Sequence, residues 1–382
     1  MPLLSPVALH PTLSAEAELH ALLRPAGAGL YLVSTGAAEQ LALQKKLYGA
    51  STQAEVERGF QQSIAQIGSA KLLLLAVPSD VGAGFRRGAN LAPQALRIAL
   101  QEQISDYREK CCAYGIVDLG DVMVVPQLLH DEMLSRAQIE RTQAALYPQL
   151  TTAERASLPV SPLSIQERAL SLALRLNPAA IPVVIGGDHS TAWPVVRALG
   201  TVRDAFCIVQ PDAHTDLLEE RLGVRYCFAT WSYHANELLG RGNRLIQVGI
   251  RATRRTKAHW ESTLGVKQYW ADQCRADPGA ALDAIVAAAK AAGGGVYFSN
   301  DIDGTDASFV QATGTPEPEG LSPEFVLELI ARLGREVGLV AGDLMEVAPP
   351  LGPTPEAANA TVQLGAKYLR ATMEAALGST LA

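Results

Sequence analysis

The stretch IPVVIGGDHS (181–190) decides how this chain is read. An apolar run rich in β-branched side chains passes straight into two glycines, then into Asp188 and His189. Such a run, bounded by a turn, suits a strand buried on both faces, as in a parallel sheet. The same order recurs twice. AFCIVQPDAHTD (205–216) leads from an apolar run into Asp212, His214 and Asp216. GGVYFSNDIDGTD (294–306) leads into Asp301 and Asp303, with Asp306 beyond. Strand side chains alternate faces, so strands continuing through these motifs would align Asp212, His214 and Asp216 on one face, and Asp301 with Asp303.

Four further runs share the pattern: KLLLLAVP (71–78), YGIVDLG (114–120), RLIQVGI (244–250) and VGLVAGDL (337–344). Between the runs lie helical candidates over Pro93–Glu102, Ile165–Leu176, Ala281–Ala292 and Pro323–Leu333. Alternating strand and helix predicts a doubly wound α/β fold of seven or eight strands. Residues 122–164 read as a long polar, partly helical insertion before the third strand. Residues 1–70 differ. They carry helical patterning at Ala15–Leu23 and Ala37–Tyr48, a Gly-rich break at Gly27–Gly29, and no chemistry-bearing cluster. The chain is therefore divided into a helical N-terminal extension, 1–70, and a catalytic α/β domain, 71–382.

Composition narrows the function. At 382 residues, one large or two ordinary domains fit. Apolar residues make up 48% and the net charge is −7, so nothing electrostatic favours nucleic acid or an anionic membrane. Five cysteines without a C-x-x-C motif argue against a disulfide framework and for a reducing compartment. The first twenty residues lack the basic and apolar regions of a secretory signal. No uncharged apolar run reaches the ~20 residues of a membrane helix. The expectation is a soluble, cytoplasmic protein.

Ligands of α/β sheets bind at the carboxyl ends of strands. Three strand ends can thus bring His189, Asp212, His214, Asp216, Asp301 and Asp303 to one rim. A single strand-end Asp is usually a cap or turn former; three such ends together need another explanation. Four converging carboxylates repel one another, and two divalent cations would offset that charge. Mixed imidazole and carboxylate donors suit Mn, Ni, Co, Zn or Fe better than Ca or Mg. Two such ions can share and acidify one water, which equips a site to attack an unreactive sp² carbon. Asp188 reads as a capping or supporting residue and Asp306 as a loop residue.

GGDHS, DAHTD and SNDIDGTDASFVQATGTPEPEGLS closely resemble the ureohydrolase family, which includes arginase, agmatinase and formiminoglutamase. PSDVGAGFRRGANLAPQALR (78–97), VDLGDV (117–122), LIQVGIR (245–251) and GDLMEVAPPLGP (342–353) extend the resemblance, in order, over about residues 71–375. It implies a three-layer αβα arginase-like fold with an eight-stranded, mainly parallel sheet, assembled as trimers or hexamers. It also implies two divalent ions per chain, held by the six residues above, and hydrolysis of a small cationic guanidino substrate. Glu346 matches the glutamate that holds the guanidinium, and Thr315 a threonine lining the pocket. One departure stands out. RYCFATWSYHAN (225–236) puts Phe228 where arginases and agmatinases carry a histidine. His234 is the candidate to replace that proton shuttle, against a packing role, and Trp231 is a candidate pocket wall. CFATW and SNDIDGTD are most similar to a nickel-dependent branch that hydrolyses guanidine itself. The alternatives are agmatine, other alkylguanidines or biguanides, with nickel or manganese in the site. A homologous second subunit, metal-delivery proteins, a one-zinc deacetylase-like enzyme and a non-catalytic partner subunit are further readings.

Overall fold

The computed structural model describes residues 1–32 and 35–381. The seven apolar runs all form strands. In chain order these are β2 (Leu72–Ala76), β3 (Ile116–Val122), β4 (Ile181–Ile185), β5 (Cys207–Pro211), β6 (Leu245–Ile250), β8 (Val296–Asp301) and β9 (Leu339–Met345). Two strands were not foreseen: β1 (Leu23–Arg24) and β7 (Lys267–Trp270). The sheet runs β1-β3-β2-β4-β9-β8-β5-β6-β7. Strands β2 to β9 pair parallel throughout, while β1 pairs antiparallel with β3. The expected eight parallel strands are present, and β1 adds a ninth.

Alternation along the strands builds two cores. In β2, Leu73 and Leu75 face one layer of side chains, and Leu72 and Leu74 face the other. All four are fully buried, each contributing roughly 1.5–3 kcal/mol of hydrophobic stabilisation. The first layer includes the helices Pro162–Leu176 and Ala192–Gly200; the second includes Ala92–Gln103, Pro323–Glu336 and Pro355–Leu377. The helix Pro355–Leu377 starts where Thr354 caps the Ala357 N–H and Pro355 occupies the first turn; it ends at Gly378, whose φ is 61°.

Residues 1–70 form more than surface helices. Leu19, Leu22 and Leu23 are fully buried in the first core, joined by Phe60, Ile64 and Ile67. Glu18, itself buried, accepts two hydrogen bonds from Arg168, at 2.5 and 2.7 Å. Strand β1 covers the β3 edge of the parallel sheet. Among the described residues, no helix is long and apolar enough to cross a membrane.

Chain order decides where the chemistry falls. After β4 the chain skips two positions to lay down β5, β6 and β7 outward; β8 and β9 then return to fill the gap. The four adjacent central strands β4, β9, β8 and β5 are those whose carboxyl ends carry the polar motifs.

Candidate metal centre

The end of β4 is shaped by close backbone approach. A Cβ at Gly187 would overlap the Ser79 carbonyl, and one at Gly186 would overlap the Met345 sulfur. Asp188 then caps a single 3₁₀ turn, His189–Thr191, by accepting from the Ser190 N–H, and it also accepts from the Gly82 N–H at 3.0 Å. This is the capping role expected of it. Asp306, as expected, stays in a loop, accepting from Ser308 and Gly320.

His189 reaches into the cluster with Nδ1. That nitrogen lies 2.9 Å from Asp301 Oδ2, 3.4 Å from Asp212 Oδ2 and 3.5 Å from Asp216 Oδ2. His214 Nδ1 lies 3.1 Å from Asp303 Oδ2 and 3.6 Å from Asp212 Oδ1. The six residues therefore converge around two overlapping donor groups. His189, Asp212 and Asp301 form one; Asp212, His214 and Asp303 form the other, each with donor atoms within 4.8 Å of one another. Asp212 belongs to both, and Asp216 stands beside the first.

The route to this convergence differs from the alternation argument. Strand β5 stops at Pro211, so Asp212, His214 and Asp216 lie on a loop and not on a pleated face. Asp216 has a φ of 51°, a left-handed conformation that turns its side chain back to the cluster. Asp301 is the last residue of β8, and Asp303 sits in the 3₁₀ turn Ile302–Gly304. Asp301 Oδ1 accepts from the Asp303 N–H at 2.9 Å, a local carboxylate-to-backbone bond that ends the strand.

Burial raises Asp216 and Asp301 well above the usual carboxylate range, and neighbouring carboxylates push both further. Burial alone would lower His214, but Asp303 and Asp212 override it and raise the imidazole. This is a site of unbalanced negative charge. Its mixed imidazole–carboxylate donors fit a pair of divalent transition-metal cations, which would offset four carboxylates.

The supporting residues are largely ones the sequence did not mark. Gln210 donates to Asp212 Oδ2 at 2.7 Å, and the Ala213 N–H donates to Asp303 Oδ1 at 3.1 Å. His189 Nε2 is 3.1 Å from Ser299 Oγ, which bonds to buried Asp343, itself bonded to Tyr297. This chain sets the ring's orientation from behind. Ser299 and Asp343 lie inside the quoted stretches, but nothing in their spacing identifies them as a pair.

Glu346 lies beside the first donor group at the end of β9, with a φ of 63°, and its Oε1 accepts from the His189 N–H at 2.9 Å. Burial, then Asp301 and Asp188, raise its carboxyl well above the usual range, and a cation placed beside it would favour the ionised form. Thr315 is at the rim and donates to Asp303 Oδ2 at 2.9 Å, which ties it to a candidate ligand.

Two expectations shift. Trp231 is fully buried, so it offers no open wall to a substrate. Its Nε1–H donates to Asp216 Oδ2 at 3.0 Å, and its ring lies 4.5 Å from that of His189. It supports two candidate ligands from behind. His234 is not brought to the cluster. Its Nε2 lies 3.0 Å from the carbonyl oxygens of both Glu219 and Arg225, and Tyr226, Tyr233 and Trp193 pack around the ring. The helix Trp231–Leu238 begins only after Thr230, which carries His234 to the back of the 217–230 loop. Half-buried Phe228 instead faces the loop near Gly84, with the Arg221 guanidinium 5.0 Å from its ring centroid.

A parallel sheet whose central strand ends gather imidazoles and carboxylates is the arginase type of α/β protein. The arginase-family model matches residues 70–374, and the chain belongs to that family, hydrolases that act on C–N bonds of linear amidines. It is 32% identical to the N(1)-aminopropylagmatine ureohydrolase of Thermus thermophilus, over 76% of this chain and 87% of that one. It is 27% identical to the guanidinobutyrase of Pseudomonas aeruginosa, over 81% of this chain and 87% of that one. Proclavaminate amidino hydrolase from Streptomyces clavuligerus superposes with a TM-score of 0.62 at 26% identity, covering 80% of this chain and 92% of that one.

Proposed function

We propose that this protein hydrolyses a compact guanidino compound, guanidine itself in the first place, at a binuclear centre held by His189, Asp212, His214, Asp216, Asp301 and Asp303. The observation that carries the reading is one junction: the His189 N–H bonds Glu346 Oε1 at 2.9 Å while the same residue's Nδ1 faces three aspartates. A cation-binding carboxylate is thereby locked beside the candidate metal ligands. The donor set suits nickel or manganese equally, and the branch resemblance favours nickel.

Bound metal ions would supply the Lewis acidity that makes water nucleophilic near neutral pH. The chain's residues do the rest. Glu346 accepts paired hydrogen bonds from the planar cation and turns its central carbon toward the cluster. Asp216, fixed by the Trp231 N–H, orients the attacking water and accepts its proton. The proton then passes to the leaving nitrogen. Guanidinium and water thus give urea and ammonium, with charge conserved.

The room above Glu346 favours a small substrate. Glu346 is only 8% exposed, and a Cβ on Gly314 would stand 3.8 Å from its Oε2 and 3.5 Å from the Arg86 carbonyl oxygen. Gly314 therefore stands close over the carboxylate, with the Arg86 backbone beside Gly314. The second reading is a longer substrate such as agmatine or 4-guanidinobutyrate, favoured by the names of the relatives. Urea release from guanidine, methylguanidine, agmatine, 4-guanidinobutyrate, arginine and metformin separates the two. Turnover fastest on guanidine is expected, and activity confined to the long substrates would sink the first reading. We further propose residues 1–70 as a structural extension of the catalytic unit, and a homomeric trimer or hexamer that needs no second subunit.

A further inference from the structure

Arg251 closes the run LIQVGIR at the end of β6, outside the ligand set, and its side chain is unusual. Its guanidinium makes bonds to six backbone carbonyls. Nε donates to Pro318 O at 2.9 Å; Nη1 donates to Gly249 O at 3.0 Å and Gly304 O at 3.3 Å. Nη2 donates to Asp303 O and Glu317 O, both at 2.8 Å, and to Thr305 O at 3.3 Å. No carboxylate lies within 4.0 Å of it among the described residues. A cation placed this close to a cationic substrate's site opposes binding by charge alone. Its use must lie in geometry, which a rigid planar fork provides and a point charge does not.

Gly249 lies on the strand that Arg251 follows, and the other five carbonyls come from two segments. One is the turn 303–305, which begins with a candidate ligand; the other is 317–318, the far side of the loop that carries Thr315. The turn and the loop also meet where the Leu321 N–H donates to Gly304 O and the Ala307 N–H to Glu317 O, both at 3.1 Å, and where Thr315 Oγ1 donates to Asp303 Oδ2. Beyond them, Glu317 Oε1 stands 3.9 Å from His214 Nε2, facing the other candidate ligand of that donor group. Asp303 is thus held at its backbone by Arg251 and at its carboxylate by Ala213 and Thr315.

We propose that Arg251 is a positioning residue: by pinning the 303–305 turn to the 317–318 segment, it sets the second donor group, Asp212–His214–Asp303, together with the loop wall above it. The inference rests on the binuclear reading, yet it can fail separately, because its main readout needs no substrate. Its second consequence is asymmetry. The first donor group, around His189 and Asp301, is tied to this turn only by the Asp303 N–H on Asp301 Oδ1 and by the shared Asp212, and should change far less.

The test is calorimetric titration of the metal-stripped full-length protein with Mn(II), for wild type, Arg251→Lys and Arg251→Met, with KM and kcat for guanidine alongside. Wild type should bind two ions; if it binds none, the binuclear reading itself falls. In R251K and R251M alike, one ion should bind ~10–100-fold more weakly, the loss typical of removing support behind a ligand, while the other stays within threefold. KM should rise with the shifted loop. R251K binding both ions like wild type, with only R251M impaired, would mean that charge and not the fork matters, and would overturn the proposal. Should neither variant fold, Thr315→Val opens the side-chain tie between the same loop and Asp303, and unchanged binding of both ions in T315V would overturn the proposal equally.

Discussion

At the scale of single residues, ligands and supports should respond differently to substitution. Asp303→Ala removes a carboxylate that meets Ala213, Thr315 and His214 at once. Urea release should fall at least ~10³-fold, about 4 kcal/mol of transition-state stabilisation, and metal content should drop toward one ion per chain. Full activity with full metal content would remove Asp303 from the ligand set. His234 should behave in the opposite way. His234→Ala leaves two backbone carbonyls without their donor, at a cost of about 1–3 kcal/mol, so melting should come several degrees earlier while folded enzyme keeps its turnover within about threefold. A large loss of turnover at unchanged stability would return His234 to proton transfer. All six candidate ligands were legible in the sequence because acid and imidazole side chains follow apolar runs. Their supports were not. Trp231 reads as a pocket wall until its N–H is seen on Asp216, and Asp343 comes directly opposite Ser299 only through the β8–β9 register.

At the scale of elements, the polar motifs ended their strands. Pleat alternation correctly joined Asp212, His214 and Asp216 for the wrong reason: a carboxylate offers backbone N–H groups a local partner, and the ladder stops at Pro211. The seven buried strands were legible because parallel strands are apolar on both faces. Strand β7, KQYW, was not, since an edge strand carries polar residues. Nor was β1, which has two residues and exists only through its partner. The helix Gln53–Ala65 starts at a capping box, Thr52–Glu55, whose spacing is readable in the sequence without any hydrophobic pattern. The extension's attachment is testable here. Glu18→Ala leaves Arg168 without its carboxylate in a largely buried site, a change worth about 3 kcal/mol. Denaturant unfolding should show that loss, whereas a change below about 0.5 kcal/mol would mean residues 1–24 contribute little to the fold.

At the scale of the whole molecule, strand order is what makes the site. β8 and β9 return between β4 and β5, so segments more than a hundred residues apart end side by side. No local pattern foretells that order; the family resemblance carried it. The sheet is therefore a frame for concentrated negative charge, and the central claim is that two divalent ions complete it. The most direct measurement is urea release from guanidine by metal-stripped protein titrated with Ni(II) or Mn(II). Turnover should rise until two ions are bound per chain and then level off. Saturation at one ion per chain, or no urea from any guanidino compound at full loading, would contradict the account.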